Sequence, residues 1–299
     1  MNIKPWIQAF RLRTLPLSLS SIVLGCFLAH YDGRFNWNVC TLALLTTLFL
    51  QILSNLANDY GDSKYGVDYT ERKGPQRAVQ SGEISPKNMK RVVIAFMVLS
   101  FISGVWLIYE GTKGISFTTV LVFLILGVGA IAAAVKYTIG DHPYGYSGFG
   151  DLFVFLFFGL TGVIGTYFLN THTFKWEILL PASAAGFLST AVLNLNNMRD
   201  RENDKNSGKN TLVVKMGIEK ARWYHFFLLL GSIVAGLSYM LLNFHSPFQM
   251  LFLLTIPLLW LNVSAVFKNT IPEELDPYLK KLAITSLLFS LAFGIGLLF

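Results

Sequence analysis

The sequence predicts an all-α integral membrane protein with nine transmembrane helices. Of its 299 residues, 53% are hydrophobic and only 14% are charged, whereas a soluble domain carries about 25% charged residues. A helix needs about 20 mostly apolar residues to cross a bilayer, and nine stretches of the chain meet that need. These stretches are 15–30, 39–57, 92–109, 117–137, 150–169, 178–196, 223–243, 247–267 and 281–299.

The uneven placement of lysine and arginine predicts how these spans are oriented. With the N-terminus inside, 21 of the 24 basic residues fall on cytoplasmic segments, and only Arg34, Lys113 and Lys175 fall outside. An excess of Lys and Arg marks the cytoplasmic loops of membrane proteins. The sequence therefore predicts a multi-pass protein of the inner (plasma) membrane, with its N-terminus in the cytoplasm and its C-terminus outside. The net charge of +7 then indicates topology and an anionic ligand, and no nucleic acid is expected as a partner.

The chain predicts a single domain over 1–299. Two long polar connections, 58–91 and 197–222, follow spans two and six, and their residues Asp59 and Asp200 are 141 positions apart. Internal repeats are common in membrane folds, so this spacing predicts a pseudo-repeat of spans one to four and five to eight, followed by a ninth helix. In span five, small residues recur every third position, which favours close helix packing over room for a ligand's chain. They are Gly159, Gly162 and Gly165.

Both long connections begin with a polar stripe. If each span continues as a helix, its end places one amide and two carboxylates on one face. Clustered carboxylates at a membrane helix end repel one another and are costly to desolvate, so a cation is expected between them. The ligand atoms are all oxygen, which selects Mg²⁺ or Ca²⁺ over zinc. The residues are Asn55, Asp59 and Asp62 after span two, and Asn197, Asp200 and Asp204 after span six.

Basic residues interleave with both stripes. Such a mixture fits a metal ion with phosphate, because carboxylates hold Mg²⁺ while cations hold the remaining phosphate oxygens. A solvated loop of mixed charge is the alternative for either stripe alone, and the matching helical phase of two stripes on one side of the membrane disfavours it. The basic residues are Lys64, Arg72, Lys73, Arg77, Arg199, Lys205 and Lys209.

An apolar bundle with a Mg²⁺–diphosphate site at its rim predicts an isoprenoid diphosphate as substrate. Its tail is soluble in lipid, and its head is the ionic group. Mg²⁺ would neutralise the charge that develops on the diphosphate as the allylic C–O bond breaks. The allylic cation needs an electron-rich acceptor and protection from water. From the residues alone, the acceptor is any electron-rich ring.

Five segments in order resemble one family of membrane enzymes. They are 11–16 (RLRTLP), 58–68 (NDYGDSKYGVD), 77–82 (RAVQSG), 137–151 (YTIGDHPYGYSGFGD) and 196–212 (NNMRDRENDKNSGKNTL). Together they resemble the UbiA superfamily of membrane aromatic prenyltransferases, and within it the branch that acts on 1,4-dihydroxy-2-naphthoate. Asp151 stands where that branch more usually has Glu, a conservative departure.

The resemblance implies a nine-span UbiA-type bundle with a lateral opening to lipid and an active site on the cytoplasmic side. It implies transfer of a polyprenyl group from polyprenyl diphosphate to dihydroxynaphthoate, with loss of carbon dioxide and diphosphate, giving demethylmenaquinone. Mg²⁺ is the implied cofactor, and the two substrates and the lipid bilayer are the implied partners.

Matching the motifs also implies roles for individual residues. Mg²⁺ would be held directly or through water by Asn55, Asp59, Asp62, Asn197, Asp200 and Asp204, whose carboxylates are the catalytic groups. Tyr137 would stabilise the allylic cation or orient the acceptor. The diphosphate would be bound by Arg11, Lys64, Arg77, Lys136, Arg199 and Lys209. Further candidates are Asn58, Asn196 and Asp68, the last of which binds either a loop cation or the metal.

Two alternatives stay open. The same chemistry with another acceptor, such as 4-hydroxybenzoate, homogentisate, a haem porphyrin or a glycerol phosphate, is opposed by the extended first motif that ends at Asp68 and by the run from Asn196 to Arg199. A cation transporter would also carry acids in its spans, but no span here has one at mid-depth. The length of the prenyl chain, the general base, the number of Mg²⁺ ions and the oligomeric state stay undetermined.

Overall fold

The structure is a computed structural model that describes residues 3–64, 77–141 and 143–299. Within these ranges it contains nine helices long and apolar enough to cross a membrane, and no strand, which confirms the predicted all-α membrane fold. The helices are α1 (Lys4–Tyr31), α2 (Trp37–Lys64), α3 (Pro86–Gly111), α4 (Phe117–Lys136), α5 (Gly150–Thr171), α6 (Trp176–Asn206), α7 (Ile218–Leu242), α8 (Pro247–Lys268) and α9 (Pro272–Gly296).

The two helices that carry the polar stripes extend well beyond their apolar stretches. Helix α2 continues to Lys64 and α6 continues to Asn206. The start of each connection that the sequence predicted, from 58 and from 197, is therefore helical. Hydropathy marks where a helix leaves the hydrocarbon, and backbone hydrogen bonding continues past that point into the polar region.

Helix α1 is bent at Arg11. The short helix Lys4–Phe10 ends there, and Arg11 has φ 48° and ψ 54°, a left-handed conformation that is unfavourable for a residue with a Cβ. The bend is tied to α2, because the Asn55 side-chain amide donates to the Phe10 carbonyl at 2.9 Å. This contact fixes the N-terminal segment against the end of α2 that carries the first polar stripe.

The helices differ strongly in how much of their surface is enclosed. Helix α6 is the most enclosed, and it packs against α1, α5, α7 and α9. Helix α4 is described along its whole length and has no buried residue. It packs mainly on α2 and α3, so it forms a wall at the periphery of the bundle.

The glycines of α5 have two different surroundings. A π-helical turn, which the sequence did not predict, covers Phe155–Thr161. A Cβ on Gly159 would lie 2.5 Å from the Cα atom of Gly186 in α6, so this glycine permits close packing of the two helices. Gly162 and Gly165 instead line a cavity. A Cβ on Gly162 would also lie 3.0 Å from the Cβ atom of Ser21 in α1, whereas one on Gly165 would have its nearest contact, with Phe123, at 3.8 Å. The predicted close packing is thus found at Gly159 and Gly162, and room for a side chain at Gly165.

The Gly159→Ala variant is expected to lose about 1–3 kcal/mol of stability, the usual cost of overpacking. The added Cβ would meet backbone atoms of Gly186, which no change of rotamer can move aside. Thermal unfolding in detergent measures the loss. Gly129→Ala in α4 is the matched control, because a Cβ at Gly129 meets no described atom within 4 Å; equal melting temperatures for the two variants would contradict the packing argument.

Candidate functional site

A cavity of about 990 Å³ lies where α2 and α6 carry their polar stripes. Both stripes line it at helical spacing. Helix α2 contributes residues four or seven apart, and α6 does the same, so the structure brings the two predicted faces to one space. The stripe of α2 includes Gln51, Asn55, Asn58, Asp59 and Asp62, and that of α6 includes Ser189, Asn196, Asn197, Asp200 and Asp204.

Away from these stripes the cavity is mainly apolar. It continues between α4 and α5, where Phe123, Ala130, Phe157 and Gly165 form part of its walls. The lining residues along α4 run from Phe123 to Tyr137 at its end, which corresponds to about 20 Å of helix. The cavity therefore suits a molecule with an ionic head and a long apolar tail.

Asp62 is held by three side chains. It accepts a hydrogen bond from the Tyr146 hydroxyl and forms ion pairs with Arg77 and Lys209, whose Nζ lies 3.0 Å from Asp62 Oδ1. Lys209 also lies 3.9 Å from Asp204 and 4.6 Å from the centre of the Tyr146 ring. These contacts join the first polar stripe to the segment that follows the second one.

Asp59 has one oxygen in use and one without a partner. Its Oδ2 accepts from the backbone N–H of Ala78 at 3.2 Å. Its Oδ1 is buried and, among the described residues, has no hydrogen-bond partner. A buried polar atom in this state is costly. Because Asp59 lines the cavity, a cation bound there would satisfy this oxygen.

Asp200 is fixed by its neighbour Arg199. The Arg199 Nε and Nη2 atoms donate to the two Asp200 oxygens, each at 2.8 Å. Arg199 Nη2 also donates to Asn196 Oδ1 at 2.9 Å, and Nη1 donates to Asp276 at the start of α9. Asp276 in turn pairs with Arg13 at 3.1 Å. Arg199, which the sequence predicted to bind diphosphate, thus donates to oxygens of the protein itself and orients Asp200.

The other residues predicted to belong to the site fall into two groups, those that line the cavity and those that do not. Lys64 and Lys136 lie outside the cavity, Lys64 beside a small groove formed with Tyr60 and Ser63. The helical period explains this, because Lys136 is adjacent in sequence to cavity-lining Tyr137 and therefore points about 100° away. Asp68 lies outside the described residues. Beyond the residues already described, the predicted residues that line the cavity are Arg11 and Tyr137.

Tyr137 stands at the end of α4 against two glycines. A Cβ on Gly145 would lie 2.6 Å from the Tyr137 carbonyl oxygen, and one on Gly150 would lie 3.1 Å from its hydroxyl. The ring also meets Tyr144 edge to face, with centroids 5.3 Å apart. Burial raises the pKa of the Tyr137 phenol, so the ring is neutral at physiological pH. The face of a neutral phenol attracts a nearby cation.

Three residues of this site received no role from the sequence. Tyr146 lies in a segment rich in Gly and aromatic residues, and only the fold shows that its hydroxyl reaches Asp62. Arg13 and Asp276 belong to opposite ends of the chain. No local pattern links them, because their contact depends on the packing of α9 beside α1.

The donor set fits a hard divalent cation. Carboxylate and amide oxygens from two helices face one cavity, and the unpaired Asp59 Oδ1 is among them. In the part of the chain that the structure describes, no three His, Cys, Asp or Glu side chains converge on one point. One or two carboxylates with substrate phosphates are the usual protein environment of Mg²⁺, and this arrangement matches it better than a cage made of protein alone.

Sequence comparison places the chain among prenyltransferases. The model of the UbiA prenyltransferase family matches residues 18–295. A Haemophilus influenzae protein named 1,4-dihydroxy-2-naphthoate octaprenyltransferase is 44% identical over 299 residues, which cover 99% of this chain and 96% of the relative. The Escherichia coli protein of the same name is 44% identical over 292 residues, covering 98% of this chain and 94% of the relative.

Solved structures share the fold at low sequence identity. A UbiA homologue from Aeropyrum pernix superimposes with a TM-score of 0.70 at 15% identity, over 96% of this chain and 98% of that one. A UbiA homologue from Archaeoglobus fulgidus, solved with DMAPP and Mg²⁺, gives a TM-score of 0.61 at 19% identity, with the same coverage. The nine-helix arrangement is therefore that of these proteins.

Proposed function

Because the chain belongs to the UbiA prenyltransferase family, we propose that it transfers a polyprenyl group from a polyprenyl diphosphate to 1,4-dihydroxy-2-naphthoate. One observation carries the proposal: two carboxylate-bearing stripes meet at the polar end of a cavity that is otherwise apolar. The name shared by two relatives at 44% identity supports naphthoate as the acceptor, and it supports an eight-unit donor.

The donor would lie along the cavity. Its diphosphate would occupy the polar end, where Arg77 and Lys209 already face the acidic stripes. When bound, Mg²⁺ would be held by Asp59, Asp62, Asp200, Asp204 and the amides Asn55 and Asn197, and it would neutralise charge on the departing diphosphate. The tail would follow the apolar walls of α4 and α5, which exclude water from the reacting carbon.

The proposed reaction balances without a separate general base. The allylic C–O bond breaks, and its electron pair leaves with the diphosphate. The carboxyl-bearing ring carbon of the acceptor forms the new C–C bond. Carbon dioxide then departs, and the electrons of its bond to the ring restore aromaticity, giving demethylmenaquinone in its reduced form. The neutral Tyr137 ring would stabilise positive charge on the prenyl carbon.

We propose further that the polar end of the cavity faces the cytoplasm and that the membrane is the plasma membrane. The excess of basic residues at that end supports the orientation. A cysteine introduced at Lys175 should react with a membrane-impermeant thiol reagent added to intact spheroplasts. The native Cys26 and Cys40 are buried, so their background is expected to be low. Labelling only after lysis would reverse the proposed orientation.

Purified protein with Mg²⁺, dihydroxynaphthoate and a mixture of polyprenyl diphosphates tests the proposed activity. We expect mass spectrometry to find a prenylated naphthoquinol, with the octaprenyl product predominant. 4-Hydroxybenzoate and homogentisate are included as competing acceptors. Absence of any naphthoate product, or preference for another acceptor, would refute the proposed function.

A further inference from the structure

Six basic side chains line the cavity among the described residues: Arg11, Arg13, Arg77, Arg199, Lys209 and Lys280. Four of them form ion pairs with aspartates. Arg11 also has an interaction partner. Within the described part of the chain, Lys280 is the one cavity-lining cation that forms neither an ion pair nor a hydrogen bond. A cation kept in this state at a binding cavity is available to an anionic ligand.

The surroundings of Lys280 explain why it is unpaired. Asp276 lies one helical turn earlier on the same face of α9, the spacing at which an acid and a base commonly pair. Both Asp276 oxygens are already engaged, one with Arg199 and the other with Arg13. The neighbouring Lys281 faces the Tyr278 ring instead, with its Nζ 4.6 Å from the centroid. Two arginines thus already neutralise Asp276, and Lys280 forms no ion pair with it in the described part of the chain.

Lys280 lines the cavity from a different side than the tail path. It belongs to α9, which packs on α1 and α6, whereas the apolar path lies between α4 and α5. Lys280 therefore offers a cation to a second ligand on the side of the cavity away from the apolar path.

We propose that Lys280 binds the carboxylate of the aromatic acceptor, an inference that rests on the proposed function. The acidic stripes repel an acceptor carboxylate unless a cation faces it. Arg13, Arg77 and Arg199 already pair with aspartates, whereas Lys280 pairs with none of the aspartates that the structure describes. Lys280 both lines the cavity and is exposed, so an acceptor can reach it from outside the bundle. A lysine there selects acceptors that carry a carboxylate and holds the ring near the donor.

Kinetics of the full-length protein in phosphatidylcholine nanodiscs test this role. We expect Lys280→Gln to raise the KM for dihydroxynaphthoate about tenfold or more, the effect of losing a hydrogen bond to a charged group. The KM for the polyprenyl diphosphate should stay within about twofold of the wild-type value. Lys280→Arg should retain most of the acceptor affinity. Lys281→Gln is the matched control, because it removes the same charge at the next position.

Direct binding of radiolabelled dihydroxynaphthoate separates this inference from the proposed function. Weaker binding to Lys280→Gln than to Lys281→Gln supports the site even where turnover is absent, and lack of product would then refute only the proposed reaction. Equal affinity of Lys280→Gln and the wild type would overturn the inference. A defect that occurs only in nanodiscs containing phosphatidylglycerol would also overturn it, because Lys280 would then bind an anionic lipid headgroup.

Discussion

The Asp59→Asn variant is expected to lose turnover by at least about 10²-fold, the scale for removing one group that stabilises developing charge in an active site. Asn has the same shape as Asp, and its amide oxygen can still accept from the Ala78 N–H that Asp59 now binds. The fold should therefore persist. What disappears is the negative charge on the buried oxygen that has no partner among the described residues, and with it one ligand for a divalent cation.

The measurement is the rate of product formation as a function of Mg²⁺ concentration, together with the melting temperature. A reduced affinity for Mg²⁺ in a protein that melts normally would support a metal ligand at Asp59. Asp32→Asn serves as the control, because Asp32 is an acid that pairs with Lys175 and accepts from the Tyr167 hydroxyl away from the cavity. Turnover of Asp59→Asn within twofold of the wild type would exclude Asp59 from the metal site.

Much of this fold follows from the sequence because two of its patterns are local. A run of about 20 apolar residues forms a membrane helix whatever its neighbours are, and all nine spans are predicted in this way. The helical period is constant, so the spacing of Asn55, Asp59 and Asp62 along the chain is enough to place them on one face. Once α2 and α6 pack within the same bundle, their polar faces can line one cavity. The pseudo-repeat of the two halves stays a prediction.

The partners of the charged side chains could not be predicted in the same way. Arg199 resembles a phosphate ligand because it lies inside an acidic motif, yet it holds Asp200 and reaches Asp276, 77 positions later. Lys64 and Lys136 are close to the motifs in sequence, and the helical period turns both away from the cavity. A residue that is close to a motif in sequence can still point away from the cavity. Which side chains meet across the cavity depends on how the helices pack.

The Arg77→Met variant is expected to lose both stability and affinity for the polyprenyl diphosphate. Arg77 is buried, pairs with the buried Asp62 and donates to the Asn58 carbonyl. Removing one partner of a buried ion pair costs about 3–5 kcal/mol. Lys209 and Tyr146 remain on Asp62, so we expect a loss at or below the low end of that range.

The KM for the polyprenyl diphosphate should rise about tenfold or more, because a charged hydrogen-bond donor to phosphate oxygens is lost. Arg77→Lys keeps the charge but not the two-pronged geometry, and it should recover part of the affinity. Arg222→Met is the matched control. Arg222 pairs with Glu219 at 2.9 Å and donates to the Asn269 carbonyl at 3.1 Å, both outside the cavity, so Arg222→Met should leave the KM for the diphosphate unchanged.

A double-mutant cycle with Asp62→Asn separates the two roles of Arg77. If Arg77 stabilises the fold through the Asp62 charge, Arg77→Met should cost less stability in the Asp62→Asn background than alone, since contacting residues are not additive. Equal costs in both backgrounds would show that the ion pair contributes nothing to stability. If the KM for the diphosphate is unchanged in Arg77→Met, Arg77 stabilises the fold but does not bind the substrate. A raised KM together with coupled stability would mean that Arg77 neutralises Asp62 in the empty site and serves the substrate when it binds.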